Sequence, residues 1–417
     1  MTTACLFNPY DPAFLQDPYA TYRALLSQSP RLKLPENFLQ ESVPNTDDWC
    51  LSGYADVSLA LRDRRFVREW DNAKPAGLGT TANPRPEPPP FIKEFLSGMN
   101  STMLFRDPPA HTRLRTLINK AFTPVAIESL RPRITDLVDY LLQPFMSGSQ
   151  MDLIGDFALP LPVMVIGEML GVAVTDRDVF KSWSIRIARA LDATLASPQV
   201  LQEAAEAYRD LSLYLKDVIA ERRQNPREDI LTNLIRAEED GQRLSEQELL
   251  SSCVLLLIAG HETTTNLIGN GFWTLHHHAS ARDLWANHPE LGPAAVEEIL
   301  RFEPPVQRTM RYVSEPVQLD DVGLQRGDSV YLLLAAANRD PSVFPNPDSF
   351  DITRKPNRHL SFAAGIHFCL GAPLARLEGD IALTRLAQSS LVVDTEVPAW
   401  RNMTVFRGLE QLPVHAE

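Results

Sequence analysis

Phe362-Ala-Ala-Gly365-Ile-His367-Phe-Cys369-Leu-Gly371 is a short glycine-rich sequence that leads into a helical pattern from Ala372 to Arg385. Glycines on both sides of Cys369 allow the chain to turn tightly and bring backbone amides close to the sulfur. The following helix presents its positive N-terminal end to the same position. A thiolate held in this way can serve as the axial ligand of a haem iron. A lone cysteine is nevertheless more often a buried structural thiol, so the loop alone does not decide between the two.

Upstream, Ala259-Gly260-His261-Glu262-Thr263-Thr264 lies inside a long helical stretch that opens at Ser245-Glu-Gln-Glu248. The opening sequence is a capping-box pattern, and we expect the helix to run to about His277. Gly260 and the β-branched threonines weaken the helix locally, which favours a groove where a ligand approaches the backbone. The alternative is a simple kink in which Thr263 bonds back to a carbonyl one turn earlier.

Between these two stretches, Glu298-Ile-Leu-Arg301 places two opposite charges on one face of a helix expected over Pro293 to Phe302. Two prolines that follow Glu303 end that helix. By itself a Glu-x-x-Arg spacing usually marks a solvent-exposed salt bridge.

Taken together, the cysteine loop, the Glu262–Thr263 pair and Glu298-x-x-Arg301 occur in the order and at the distances that resemble the cytochrome P450 family. The resemblance covers essentially the whole chain, from Asn8-Pro-Tyr to Phe406-Arg-Gly-Leu409. It implies a mainly α, cytochrome P450-type fold with a long central helix and a small β-rich region. We expect a single domain over residues 1–417.

This resemblance implies haem b as the cofactor, with Cys369 as the metal ligand. Asp107-Pro-Pro-Ala-His111-Thr-Arg-Leu-Arg115 places two possible propionate partners four residues apart on a helix. The residues expected to contact haem are His111, Arg115, Ala259, Arg311, Phe362, Gly365, His367, Cys369 and Gly371. Arg308 competes with Arg311 for one propionate, although the register of the following strand favours Arg311.

The resemblance also implies roles for the two charged pairs. Glu262 would shuttle protons from solvent, and Thr263 would hydrogen-bond the oxygen substrate as a catalytic partner. Glu298 and Arg301 would tie their helix to the irregular stretch before the cysteine loop. Ser349 stands where relatives often have a basic residue, so the third member of this ion network is Arg339 or Arg354.

Composition excludes several function classes. The net charge of −13 over 417 residues argues against nucleic-acid binding. Four widely spaced cysteines support neither a disulfide framework nor a zinc site, and no run of about 20 apolar residues is present. We therefore expect a monomeric cytoplasmic protein that binds no membrane. Because no nucleotide-binding motif is present, electrons should come from a ferredoxin and its ferredoxin reductase.

The expected reaction inserts one oxygen atom of O₂ into a mostly apolar small molecule, by hydroxylation or epoxidation. A secondary metabolite such as a polyketide fits an aliphatic pocket, which we expect to form from residues 68–103, 180–196, 256, 259, 306, 309 and 404–405. One alternative is a peroxide-driven peroxygenase, and another is a non-catalytic haem sensor. The Glu262–Thr263 pair disfavours both, because neither needs protons delivered to O₂.

Overall fold

The computed structural model describes residues 5–36, 38–39, 42–43, 45–76, 88–145, 150–172, 174–192, 197–239 and 241–417. Helices make up most of this part of the chain. The α-helices are α1 (Pro12–Gln16), α2 (Tyr19–Gln28), α3 (Tyr54–Ala60), α4 (Trp70–Ala73), α5 (Pro90–Asn100), α6 (Ala110–Asn119), α7 (Pro124–Glu128), α8 (Arg131–Leu142), α9 (Pro160–Met169), α10 (Arg177–Arg189), α11 (Pro198–Gln224), α12 (Ile230–Arg236), α13 (Glu246–His276), α14 (Ala279–Asn287), α15 (Gly292–Phe302), α16 (Leu334–Ala337) and α17 (Ala372–Gln388). A π-helical segment covers Leu153–Ala158, and 3₁₀ turns cover Met103–Phe105, Val174–Asp176, Pro289–Leu291 and Gly365–His367.

The β-rich region is small and is built from short strands. These strands are β1 (Arg31–Lys33), β2 (Asp48–Leu51), β3 (Phe66–Val67), β4 (Met151–Asp152), β5 (Glu238–Glu239), β6 (Gln242–Arg243), β7 (Thr309–Val313), β8 (Val317–Leu319), β9 (Val322–Leu324), β10 (Ser329–Leu332), β11 (Leu391–Val393), β12 (Ala399–Trp400), β13 (Leu409–Gln411) and β14 (Pro413–Ala416). The largest sheet has the order β1-β2-β10-β7-β3, in which β2 and β10 are parallel and the other neighbours are antiparallel. A second sheet has the order β11-β14-β4, and the remaining strands pair as β12–β13, β5–β6 and β8–β9. The predicted mainly α fold with a small β region is confirmed.

The long central helix is α13, whose 31 residues span about 45 Å. Ser245 caps it: its hydroxyl accepts a bond from the amide of Glu248, and the Glu248 carboxylate accepts one from the amide of Ser245 at 2.9 Å. The predicted capping box is therefore confirmed. Four neighbouring helices (α9, α10, α11 and α17) pack around α13, so it forms the axis of the main hydrophobic core.

Helix α17 joins the central helix to the other charge-bearing segments, because it begins three residues after Cys369 and packs against both α13 and α15. It extends one turn past the predicted end at Arg385, since Leu386 and Ala387 are buried and continue its apolar face. In the part of the chain that the structure describes, no helix is both long and apolar enough to cross a membrane.

Candidate active site

The Cys369 loop folds back on itself before α17 begins. The Cys369 amide donates to the carbonyl oxygen of Phe362 at 2.9 Å. Gly365 adopts φ of 69°, and a Cβ there would lie 2.4 Å from the carbonyl oxygen of Leu61, so only glycine fits. Burial raises the pKa of the Cys369 thiol, while hydrogen bonds from the amides of Gly371 and the residue after it lower it. The loop thus supplies the amides that a bound thiolate requires.

Aromatic and cationic side chains hold this loop in place. The ring of Phe362 packs against the guanidinium of Arg376 at 4.6 Å and contacts the ring of Phe368. Arg115 donates its Nη1 to the carbonyl oxygen of Phe368 at 2.7 Å. This contact fixes α6 to the loop and brings a positive charge close to Cys369.

The structure brings the four predicted propionate partners together. The rings of His111 and His367 have centroids 4.4 Å apart, and Arg115 lies beside them. Burial, followed by the neighbouring charge of Arg311, lowers the pKa of His367 to about 2. Burial also lowers the pKa of Arg311 well below its usual range. The competing Arg308 points elsewhere, where it donates to Thr404 Oγ1 at 2.9 Å.

Arg68 joins this cluster, and the sequence analysis missed it. Its Nη1 donates to the carbonyl oxygen of Met310 at 2.7 Å and lies 3.4 Å from Thr309 Oγ1. Arg311 donates to the same Thr309 oxygen at 3.2 Å, so the two guanidinium groups are neighbours, and Arg68 contributes to the low pKa of Arg311. No sequence signal separated Arg68 from the adjacent surface arginines, because its role depends on where β7 lies in the fold.

These residues fit a haem. The buried guanidinium groups of Arg68 and Arg311 have lowered pKa values, and the two propionates of haem b are carboxylates suited to balance their charge. The buried Nδ1 of His111 has no hydrogen-bond partner among the described residues, so it is a further group suited to a propionate oxygen. Cys369 would supply the sulfur ligand from the same loop that carries His367.

One face of α13 is accessible, although the rest of the helix is buried. From residue 249 to residue 272, the residues that are not buried are Leu256, Ala259, Gly260 and Thr263. The spacing of three, one and three residues places them on a single stripe of the helix. This stripe lies where the sequence favoured a groove, and it is mostly apolar.

Thr263 also makes the hydrogen bond to a carbonyl one turn earlier that the alternative, a simple helix kink, predicted. Its Oγ1 donates to the carbonyl oxygen of Ala259 at 2.8 Å. The groove and the back-bonded threonine therefore occur at the same residues. Because the hydroxyl proton is used in this bond, the oxygen of Thr263 is left to accept hydrogen bonds on the accessible stripe.

Glu262 is buried beside this stripe and is held by Arg401 at 2.5 Å, a partner that the sequence analysis missed. Asn266, one turn further along α13, lies 3.5 Å from the same carboxylate oxygen. His261 also lies next to Glu262, with Nε2 3.8 Å from its carboxylate and Nδ1 3.1 Å from the Leu257 carbonyl oxygen. The structure thus places the Glu262 carboxylate against a cation from the segment between β12 and β13.

A second acid, Glu378 on α17, is buried against the central helix next to Thr264. Burial raises its pKa to about 8, and the hydrogen bond with Thr264 opposes this only in part. The sequence analysis did not single it out, although a glutamate directly after Leu377 on the buried face of a helix is an unusual choice.

Glu298 and Arg301 form a fully buried pair with contacts of 2.8 and 2.7 Å. The Nε of Arg354 lies 3.2 Å from Glu298, which answers the question about the third member of the network. Arg339 instead pairs with Asp348 at 2.6 Å.

The charged group of Asp192, near the expected pocket, is satisfied by neutral hydrogen-bond donors. Buried Asp192 accepts bonds from the amide and the hydroxyl of Thr404 and from the amide of Val405. Of the predicted pocket segments, residues 77–87 and 193–196 lie outside the described residues.

Comparisons with known proteins agree on one family. The family model described as Cytochrome P450 matches residues 178–283 and 287–396. Cytochrome P450 107B1 of Saccharopolyspora erythraea is 40% identical over 97% of this chain and 96% of its own length. Polyketide biosynthesis cytochrome P450 PksS of Bacillus subtilis is 35% identical over 98% of each chain. The solved structure of P450BioI in complex with an acyl carrier protein carrying hexadec-9Z-enoic acid superposes with a TM-score of 0.86, at 38% identity, over 97% of this chain and 99% of that one.

Proposed function

Since the chain belongs to the cytochrome P450 family and is a haem b monooxygenase of that family, we propose that it inserts one oxygen atom into a mostly apolar secondary metabolite. The product would be an alcohol or an epoxide, and a polyketide is the favoured class of substrate. The relative PksS, whose name places it in polyketide biosynthesis, supports this class. The whole chain, residues 1–417, would act as one catalytic domain.

The observation that carries the proposal is the accessible stripe of α13. Three of its four residues (Leu256, Ala259 and Gly260) are apolar, and the other residues of the helix between 249 and 272 are buried. Apolar walls with a few placed polar groups are typical of pockets for small hydrophobic ligands. The single polar group on the stripe is the Thr263 hydroxyl, whose free lone pairs can hold a water or a protonated oxygen in place.

The chain's residues would act as follows. Cys369 would hold the iron, and His111, Arg115, Arg311 and His367 would hold the propionates. When bound, haem supplies the redox chemistry in which O₂, two electrons, two protons and a C–H bond yield an alcohol and water.

The proposed catalytic pair is Glu262 and Thr263. Glu262 would bring protons from solvent by leaving its contact with Arg401, whose side chain is 20% exposed. Thr263 would hydrogen-bond the oxygen substrate, which accepts the protons, and hold it in place. Ala259, Phe362, Gly365 and Gly371 would complete the contacts with haem.

We expect the electrons to arrive singly from a ferredoxin that is reduced by a ferredoxin reductase. Ile366 and Phe368 support a docking face beside the cysteine loop, because their side chains are 51% and 40% exposed. Exposed apolar residues next to a positively charged side chain such as Arg115 suit a protein partner.

The test is reconstitution with a bacterial ferredoxin, its reductase and NAD(P)H, after a panel of polyketides, terpenoids and fatty acids has been screened for spectral shifts of the haem. The expected result is substrate-dependent consumption of NAD(P)H and O₂ with formation of an oxygenated product. Turnover with peroxide alone would favour a peroxygenase, and no turnover with either oxidant would favour a sensor. Cys369→Ala, which should lose the haem-thiolate spectrum, is the control.

A further inference from the structure

Two hydroxyl groups on α11 are buried without a hydrogen-bond partner among the described residues. Tyr208 Oη and Ser212 Oγ belong to side chains that are 2% and 4% exposed. They are four residues apart, so they lie on the same face of the helix. Because buried polar groups in proteins are almost always hydrogen-bonded, this pair indicates a ligand group or bound water.

The position of the Tyr208 hydroxyl depends on a glycine in the neighbouring helix α5. A Cβ built at Gly98 would lie 1.9 Å from Tyr208 Oη, so any other residue would displace the hydroxyl. The ring of Tyr208 packs edge-on against Phe95 at 5.6 Å. Helix α5 thus holds the tyrosine ring through apolar contact and leaves its polar end without a partner.

Other polar groups lie at the junction of α5 and α13, one turn from the Gly98 that contacts Tyr208. Ser101, one turn after Gly98, has its hydroxyl 3.0 Å from Ser251 Oγ on α13. Gln247 donates its Nε2 to the same Ser251 oxygen at 3.1 Å. The contact between α5 and α13 is therefore polar and reaches the surface at Gln247, and α5 belongs to the segment expected to line the substrate pocket.

The distance from this junction to the accessible stripe sets the length of a ligand that would reach from one to the other. Ser251 precedes Thr263 by twelve residues of continuous helix, which corresponds to about 18 Å along α13. An extended chain of about fourteen carbons, with bonds of about 1.5 Å, spans that distance.

We propose that Tyr208 and Ser212 bind a neutral polar group, a hydroxyl or a carbonyl, at the far end of an elongated apolar substrate. Both side chains can donate and accept hydrogen bonds, so either group is a suitable partner. The inference rests on the proposed monooxygenase function and adds a substrate class: chains or macrocycles whose polar end lies about 18 Å from the oxidised carbon.

The test uses two series of probes on the haem-loaded enzyme, 1-alkylimidazoles and ω-(imidazol-1-yl)alkanols with eight to fourteen carbons. The imidazole anchors each probe on the iron and reports binding as a shift of the haem spectrum. The measured quantity is the ratio of Kd for the methyl-ended probe to Kd for the alcohol of equal length. We expect the ratio at the longest chains to fall about five- to tenfold in Tyr208→Phe, and to fall in the same direction in Ser212→Ala. At eight carbons the ratio should not change.

Tyr140→Phe is the matched control, because the Tyr140 side chain is 65% exposed. Tyr208→Phe should melt at the parent temperature or above it, because it removes a hydroxyl that has no protein partner. A lower melting temperature of Tyr208→Phe would overturn the inference. Equal ratios in the parent and both variants at every chain length would also overturn it, and would leave water as the only partner. If the parent shows no haem-thiolate spectrum, the proposed haem chemistry fails as well.

Discussion

Replacing Arg301 with lysine tests whether the buried ion pair stabilises the segment that carries the cysteine loop. All five N–H groups of Arg301 have acceptors. Two donate to the carboxylate of Glu298, and the others donate to the carbonyl oxygens of Asn338, Pro347 and Ser349. A lysine has three donors on one nitrogen, so Arg301→Lys loses at least two of these five hydrogen bonds.

The expected decrease in the free energy of unfolding follows from this loss of hydrogen bonds. Hydrogen bonds that involve a charged group contribute about 1.5–3 kcal/mol each, and disrupting a fully buried pair costs about 3–5 kcal/mol. We therefore expect the free energy of unfolding of Arg301→Lys to fall by about 3–5 kcal/mol. An unfolding entropy of about 2.1 cal/mol/K per residue gives about 0.9 kcal/mol/K for 417 residues, so the melting temperature should fall by about 3–6 °C.

The assay is thermal and urea unfolding, followed by far-ultraviolet circular dichroism and by haem absorbance. Arg385→Lys is the control: Arg385 also contacts a carboxylate, that of Asp139, through two nitrogens, at 2.9 and 3.2 Å, but the two side chains are 45% and 53% exposed. The control should change the free energy of unfolding by less than about 0.5 kcal/mol. If Arg301→Lys and Arg385→Lys lower the free energy of unfolding by the same amount, burial does not determine how much an ion pair stabilises the fold, and the reasoning is wrong.

Three further changes test other parts of the site. Thr263→Ala should keep the haem-thiolate spectrum but divert reducing equivalents to peroxide, and an unchanged ratio of product to NAD(P)H consumed would contradict its proposed role. Arg68→Gln should speed haem transfer to apomyoglobin by about tenfold through loss of a charge-assisted contact, whereas Arg64→Gln, at an exposed position, should not. Glu378 has a pKa of about 8 when folded and about 4.5 when unfolded, so its neutral form favours the folded state below pH 4.5 and this stability is lost as the pH rises through 8. Glu378→Gln should therefore gain melting temperature over the parent between pH 5 and 9, and parallel pH profiles would refute the assignment.

The elements that were predicted correctly have local causes. The capping box of α13 involves residues three apart in sequence, and the helix of Glu298 and Arg301 ends where two prolines follow it. The third member of the ion network was not decided, because Arg339 and Arg354 lie in the same irregular stretch. The path of that stretch, rather than any local propensity, brings Arg354 to Glu298.

Residues that the sequence analysis missed have partners far away in the chain. Arg401 follows Glu262 by 139 residues, and Arg68 precedes Met310 by 242. Such pairs depend on which loops meet in the folded chain, and no period of hydrophobicity records that. Tyr208 was missed for a different reason, since a tyrosine on a helix is normally a core residue whose hydroxyl finds a partner.

The pair at the centre of the proposed relay illustrates how the structure changes a sequence interpretation. Glu262 and Thr263 are adjacent in sequence, yet the carboxylate is paired with Arg401 and the hydroxyl proton is donated to Ala259. For Glu262 to pass a proton toward Thr263, its carboxylate has to leave a contact of 2.5 Å with a cation that is partly exposed to solvent. Proton delivery is therefore tied to the position of the segment between β12 and β13, and a change at Arg401 should alter coupling even though Arg401 lies outside every motif in the sequence.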